Sequence, residues 1–173
     1  MSKETCGVPL LSIENLSISF QTHRGVVSAA KDVCLTVGRG ECLAVVGESG
    51  AGKSVTAHSI LRLLPYPAAF HPSGSILFNG VDLLTLPEEE LRKVRGNRIG
   101  MIFQEPMTSL NPLHSIGKQV AEALQIHQGL SPRDALSRSI ELLGLVQFPE
   151  AEARITALPH ELSGGQRQRV MIA

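Results

Sequence analysis

The chain has 173 residues, of which 43% are apolar, enough for one domain of ordinary size with a buried core. Its 16 basic and 16 acidic residues balance, which excludes a global field that would attract nucleic acid or an anionic membrane. The start of the chain lacks the apolar core of a signal peptide, and no apolar run is long enough to span a bilayer. Neither export nor membrane insertion is therefore expected.

Strands and one helix are predicted in the first part of the chain. Apolar and polar residues alternate from Ile13 to Phe20, which is typical of a half-buried strand, and residues 33–37 repeat the pattern more weakly. A Gly-Arg-Gly turn leads into CLAVV, residues 42–46, an apolar run predicted to be a strand buried on both faces. A glycine-rich loop follows, and after it comes a helix that Pro65 ends.

Further elements follow in the second part of the chain. Asn79-Gly80 lies between apolar residues and predicts a hairpin, and TLPEEELRKVRG predicts a helix with an acidic start and a basic end. Residues 98–103, RIGMIF, predict another buried strand. Apolar stripes that begin at Ser115 and Ser131 predict a mainly helical segment from about residue 113 to 160, with no linker that divides the chain.

The cysteines give no sign of a disulfide framework or a metal site. Cys6, Cys34 and Cys42 are odd in number and lack metal-ligand spacing, and two of them lie in apolar stretches. We expect reduced thiols in the core of a cytosolic protein.

The strongest motif is GESGAGKS, residues 47–54, which matches G-x-x-x-x-G-K-[ST] between a predicted strand and a predicted helix. Its glycines let backbone N–H groups point at phosphate oxygens, at the positive end of the following helix. Lys53 is expected to reach the β- and γ-phosphates and Ser54 to bind Mg²⁺. The predicted nucleotide-binding loop comprises Gly47, Glu48, Ser49, Gly50, Ala51 and Gly52.

Two further landmarks narrow the class of nucleotide-binding protein. Gln104 directly follows the predicted strand RIGMIF, and LSGGQ stands at residues 162–166. With Ser49-Gly50 inside the loop, this combination resembles the ATP-binding cassette (ABC) family. Two segments are similar in sequence to the ATPase subunits of the peptide and nickel importer branch, the DppD/OppD type: MIFQEPMTSLNPLHSIGKQV and PHELSGGQRQRVMIA. A third segment resembles the first cassette of the fused two-cassette members of that branch: LLPYPAAFHPSG.

The resemblance implies roles for these residues. ATP lies between the loop of one cassette and the signature of a second, so Leu162, Ser163, Gly164, Gly165 and Gln166 are expected to act in trans. Ser163 can cap the helix that begins at Gly164, and the bare glycines allow close approach to a γ-phosphate. Gln104 is expected to contact Mg²⁺ or the attacking water. Phe20 matches the adenine-stacking aromatic by approximate spacing, with a core strand residue as the alternative.

One part of the family pattern is missing from the 173 residues. The family places a strand ending in Asp-Glu after the signature helix, whereas Asp32, Asp82 and Asp134 do not follow apolar strands. Because these carboxylates hold the metal and orient the water, we expect weak ATP binding and negligible turnover. The resemblance also places central strands of the parallel sheet in the missing part, so we expect apolar faces of CLAVV and RIGMIF to lie partly uncovered and solubility to be poor.

The resemblance also implies an architecture. We expect an α/β fold: a P-loop NTPase core of the ABC ATPase type with an antiparallel β subdomain and a helical subdomain, truncated after the signature helix. A single partial domain would comprise the β subdomain and core at about 1–104, the helical subdomain at about 105–162 and the start of the signature helix at 163–173.

The expected function is ATP binding that drives a peptide importer. The implied partners are a second cassette, membrane-spanning permease subunits and, indirectly, an extracytoplasmic solute-binding protein, with no nucleic acid, on the cytoplasmic face of the inner membrane. A nucleotide-binding module without hydrolysis and an ABC ATPase outside transport remain as alternatives.

Overall fold

The computed structural model describes residues 8–103 and 109–173. The chain divides into two compact units, which meet in sequence between Val94 and Arg95. The first unit contains the antiparallel sheet and the glycine-rich loop, and the second contains a group of helices with the signature sequence.

The sheet of the first unit has four antiparallel strands in the order β2-β1-β3-β4. The strands are β1 (Leu11–Thr22), β2 (Gly25–Val37), β3 (Ala69–Phe78) and β4 (Val81–Asp82). The strand predicted from Ile13 to Phe20 is present as part of β1, but the strict alternation is not: Ile13, Leu16 and Ile18 are buried, Ser19 is buried beside Ile18, and the pairing register with β2 shifts between Ile13 and Leu16. The Asn-Gly hairpin is also confirmed: Phe78 pairs with Val81 across Asn79 and Gly80, which both have positive φ.

Two helices complete the first unit. Helix α1 (Lys53–Ile60) begins inside the glycine-rich motif, and α2 (Glu88–Val94) has the predicted acidic start and basic end. Helix α1 ends well before Pro65, because Leu61 has left the helical conformation and Arg62 is left-handed. The helix that presents the motif is therefore shorter than the sequence indicates.

The two predicted buried strands are corrected by the structure. Residues 42–46 form no strand, and Leu43, Val45 and Val46 are exposed. Residues 98–103 form an isolated bridge between Ile99 and Arg95. An apolar run becomes a strand only where neighbouring strands supply ladder hydrogen bonds, and no described strand pairs with either segment.

The second unit is helical. Its helices are α3 (Ile116–Gln128), α4 (Pro132–Leu145), α5 (Ala151–Arg154) and α6 (Gly164–Ile172), with a 3₁₀ turn at Pro159–Glu161. Ser115 and Ser131 cap α3 and α4 through their hydroxyls, as their residue types favour. A core of buried residues joins α3, α4 and α6: Ile116, Val120, Leu143, Phe148, Leu162 and Val170.

The expectation that the cysteines lie in the core is wrong for Cys34 and Cys42. Cys34 and Cys42 are free thiols, but both are exposed, because Cys42 belongs to the unpaired segment and Cys34 lies on edge strand β2. Cys6 lies outside the described residues. Among residues 8–103 and 109–173, no helix is long and apolar enough to cross a membrane.

Candidate functional site

The glycine-rich loop joins the sheet to α1 through a close packing contact at Gly52. This residue caps the helix in a left-handed conformation, with φ of 83°. A Cβ on it would lie 2.7 Å from the carbonyl oxygen of Ala29 and 3.1 Å from the Cβ of Ala30, both on β2. Glycine is required here for backbone conformation and for space, which fixes the start of α1 against the sheet.

The Lys53 side chain folds back over the loop that precedes it. Its ammonium donates hydrogen bonds to the carbonyl oxygens of Gly47, at 2.7 Å, and Glu48, at 2.6 Å. Within the same loop the N–H of Ala51 donates to the Glu48 carbonyl at 3.3 Å. An exposed, curled loop with a cation at its centre and a helix N-terminus beside it is suited to binding an anion.

An apolar cavity of about 500 Å³ adjoins this loop. One wall consists of Val33, Leu35 and Val37 from β2, and the other of α1 and the unpaired segment 42–46. Ala51, Gly52, Lys53 and Ser54 also line it. The unpaired segment thus leaves apolar surface open beside the loop.

The signature sequence forms the start of α6 and is capped reciprocally. The Ser163 hydroxyl accepts a hydrogen bond from the Gln166 N–H at 3.4 Å, and the Gln166 side-chain oxygen accepts one from the Ser163 N–H at 3.0 Å. This capping box holds the first turn of the helix. A Cβ on Gly164 or Gly165 would meet no atom within 4 Å, so both glycines face open space.

Three side chains attach α6 to the rest of the helical unit. Leu162 is buried in its core, and Arg167 donates to the Pro159 carbonyl at 2.7 Å. Arg169 donates to the carbonyls of Val146, at 3.0 Å, and Gln147, just past the end of α4. A cation there complements the negative end of α4 and fixes the signature helix on it.

The other two predicted site residues are Phe20 and Gln104. Phe20 is half-buried on β1, opposite Val27 and Ala69, and does not line the apolar cavity. Gln104 lies outside the described residues. Within residues 8–103 and 109–173, no cluster of three His, Cys, Asp or Glu side chains could hold a metal.

Sequence reasoning missed a polar cluster behind α1. Ser59 is fully buried, and its hydroxyl lies 3.2 Å from Nε2 of His71 on β3. Burial lowers the pKa of His71 below its usual 6.5, and the Arg62 guanidinium lowers it further, while Asp82 opposes the shift. A serine inside a helix gives no sequence signal of such a contact, because its partner is distant in the chain.

Comparison with known families agrees with the motifs. Residues 30–173 match the family described as ABC transporter, with both the loop and the signature inside the match. The chain belongs to this family.

Two curated relatives are named as ATP-binding proteins of transport systems. The chain is 60% identical over 171 residues to the peptidoglycan transport ATP-binding protein YejF of Agrobacterium fabrum, a match that covers 99% of this chain and 31% of that protein. It is 51% identical over 164 residues to the oligopeptide transport ATP-binding protein OppD of Bacillus subtilis, covering 95% of this chain and 46% of that protein. The chain thus spans less than half the length of either relative.

Solved structures share the fold. A dimeric post-hydrolysis state of the ATP-binding cassette MJ0796, bound to ADP and Pi, matches with a TM-score of 0.81 and 27% sequence identity, covering 94% of this chain and 67% of that one. The agreement confirms the predicted class, an α/β ABC ATPase fold with an antiparallel sheet and helices.

Proposed function

We propose that this chain is the ATP-binding part of an ABC importer ATPase that drives peptide uptake. The observation that carries the proposal is the Lys53 ammonium held at the centre of a curled loop where α1 begins. Two of its three hydrogens are committed to loop carbonyls, and the third remains for a phosphate oxygen. The loop backbone from Gly47 to Gly52 supplies further donors to the phosphates.

Mg²⁺ fits this site as an ion held largely by the nucleotide. Ser54 stands exposed at the start of α1 and offers a hydroxyl oxygen. Mg²⁺ usually takes one or two protein oxygens together with substrate phosphates and water, so a dedicated protein cage is unnecessary. Gln104 remains a proposed second contact.

The signature is proposed to act on the nucleotide of a second cassette. Gly164 and Gly165 present backbone N–H groups and the positive end of α6 without a side chain in front of them. The dimeric state of the structurally similar cassette, bound to ADP and Pi, supports this arrangement. Each cassette would therefore complete the site of its partner, and Phe20 is proposed to stack on the adenine of its own.

Peptide import is supported by the relatives. Two of them are named for transport of peptidoglycan or oligopeptide, at 60% and 51% identity. Such a role implies permease subunits in the membrane and binding of the cassette to their cytoplasmic side. We propose these partners and that location for the whole protein.

Hydrolysis by residues 1–173 alone is expected to be negligible. The catalysis of phosphoryl transfer rests on charge neutralisation by the metal and on positioning of the attacking water. The Asp-Glu pair that the family uses for both tasks does not occur in these residues. The 173-residue chain should bind Mg·ATP without turning it over.

Calorimetric titration of the chain with Mg·ATP tests the proposal. Lys53→Ala should weaken binding at least tenfold, since a charge-assisted contact contributes about 1.5–3 kcal/mol. Lys31→Ala, at an exposed lysine on β2 of the same unit, is the matched control and should bind as the wild type does. Equal binding by the wild type and Lys53→Ala would contradict the assignment.

A further inference from the structure

Helix α1 is held at its far end by a buried hydrogen-bonded pair. Ser59 is fully buried, and its hydroxyl donates to the carbonyl of Val55 at 2.9 Å. A hydroxyl carries one hydrogen, so the contact with His71 Nε2 at 3.2 Å needs the imidazole as the donor. The chain of bonds runs from His71 through Ser59 to the helix backbone.

His71 is itself held in place by its surroundings. It lies half-buried on β3, with the Tyr66 hydroxyl 3.5 Å from the same Nε2 and the two rings 5.8 Å apart. Arg62, whose guanidinium donates to the Leu86 carbonyl at 2.7 Å, contributes a neighbouring positive charge. Burial and that charge both lower the pKa of the imidazole, against the opposing effect of Asp82, and so favour its neutral form.

The two ends of α1 therefore rest on two strands of one sheet. Gly52 packs against Ala29 of β2, and Ser59 bonds to His71 of β3. The helix has eight residues; it begins with Lys53 and Ser54 directly after the first anchor, and the second anchor is its seventh residue. A short helix that is fixed at both ends behaves as a rigid body. The hydrogen bond at Ser59 therefore also affects the position of the first turn of α1.

We propose that His71 is a positioning residue for nucleotide binding, acting through Ser59 on α1 and thereby on Lys53 and Ser54. This inference rests on the proposed function, because the ligand it concerns is the Mg·ATP assigned to the loop. It adds a residue that lies outside the glycine-rich loop and the signature sequence.

Four variants of the 173-residue chain separate this role from general stability. His71→Leu removes the N–H donor, and Ser59→Ala removes the hydroxyl that accepts its hydrogen bond. His71→Gln keeps a side-chain N–H of similar reach and serves as the rescue variant. Ser139→Ala is the matched control, because Ser139 is equally buried and donates to the carbonyl four residues before it, Ala135 at 2.7 Å, in the other unit.

The measurement is the Kd for Mg·ATP by calorimetry, with circular dichroism to confirm that each variant is folded. We expect the Kd to rise about threefold to tenfold in His71→Leu and Ser59→Ala. His71→Gln and Ser139→Ala should stay within about twofold of the wild type, which is the margin for independent sites.

The possible outcomes are distinct. An unchanged Kd in folded His71→Leu or Ser59→Ala, or an equal rise in Ser139→Ala, would overturn the positioning role while leaving the proposed function intact. A wild-type chain that shows no saturable Mg·ATP binding would contradict the proposed function and this inference together.

Discussion

Gly52 lies so close to Ala29 that a Cβ on it would stand 2.7 Å from the Ala29 carbonyl oxygen. The contact joins the phosphate-loop motif, where α1 begins, to strand β2, about twenty residues earlier in the chain. It gives the motif glycine a packing role in addition to its conformational one, and the two roles can be measured separately.

Gly52→Ala should destabilise the first unit by about 3 kcal/mol, from left-handed strain and from the clash with backbone. Gly50→Ala is the matched control, because Gly50 has nearly the same φ, 84°, and a Cβ there meets no atom within 4 Å. It should cost only about 1 kcal/mol, the strain alone. Urea denaturation measures both, and equal losses would show that the contact with Ala29 contributes nothing.

Gly164→Ala should leave stability unchanged or raise it by up to about 0.5 kcal/mol, because alanine favours helix and the new Cβ meets open space. The same methyl group should reduce ATP-dependent association with a second cassette, which the proposed trans contact requires. Gly144→Ala in α4, also in open space, should raise stability by about 1 kcal/mol without affecting association. Denaturation and sedimentation of the full-length protein test the two effects, and loss of association in Gly144→Ala would contradict the assignment.

His71 should make stability depend on pH. Its pKa is lowered in the folded chain, so the unfolded chain binds the proton at higher pH. The stability that the neutral imidazole contributes is fully present above pH 6.5, and it is lost as the pH falls through the pKa of His71 in the folded chain. Urea midpoints of the wild type should thus decline in that window, and His71→Gln should lessen the decline. His23→Gln, at an exposed histidine, should retain it, and a slope that persists in His71→Gln would count against this source.

The unpaired segment should limit solubility. Val46 is 88% exposed and lies among other exposed apolar side chains. Val46→Ser should raise the concentration at which the chain stays soluble and reduce binding of a hydrophobic dye, with stability altered by less than about 0.5 kcal/mol. Val170→Ser, at a valine that is 3% exposed, should instead destabilise the helical unit. An unaltered solubility limit in Val46→Ser would argue against this segment as the cause.

The sequence predicted the elements whose signals are local. The Asn79-Gly80 hairpin, the helices that begin after Ser115 and Ser131 and the cap that Ser163 places on α6 each depend on residues within a few positions, and all are present. It failed for residues 42–46, because burial of an apolar run depends on strands that are distant in sequence. The pattern alone could not tell a paired strand from an unpaired segment.

By itself, the sequence determined the class of the protein: the loop motif and the signature have fixed spacing, and they suffice for the ABC transporter family. The tertiary structure decided what holds these motifs in place. Gly52 against Ala29, Ser59 bonded to His71 and Arg169 on the end of α4 join residues far apart in the chain. Such contacts leave no periodic signal, because they depend on how the elements pack and not on their order.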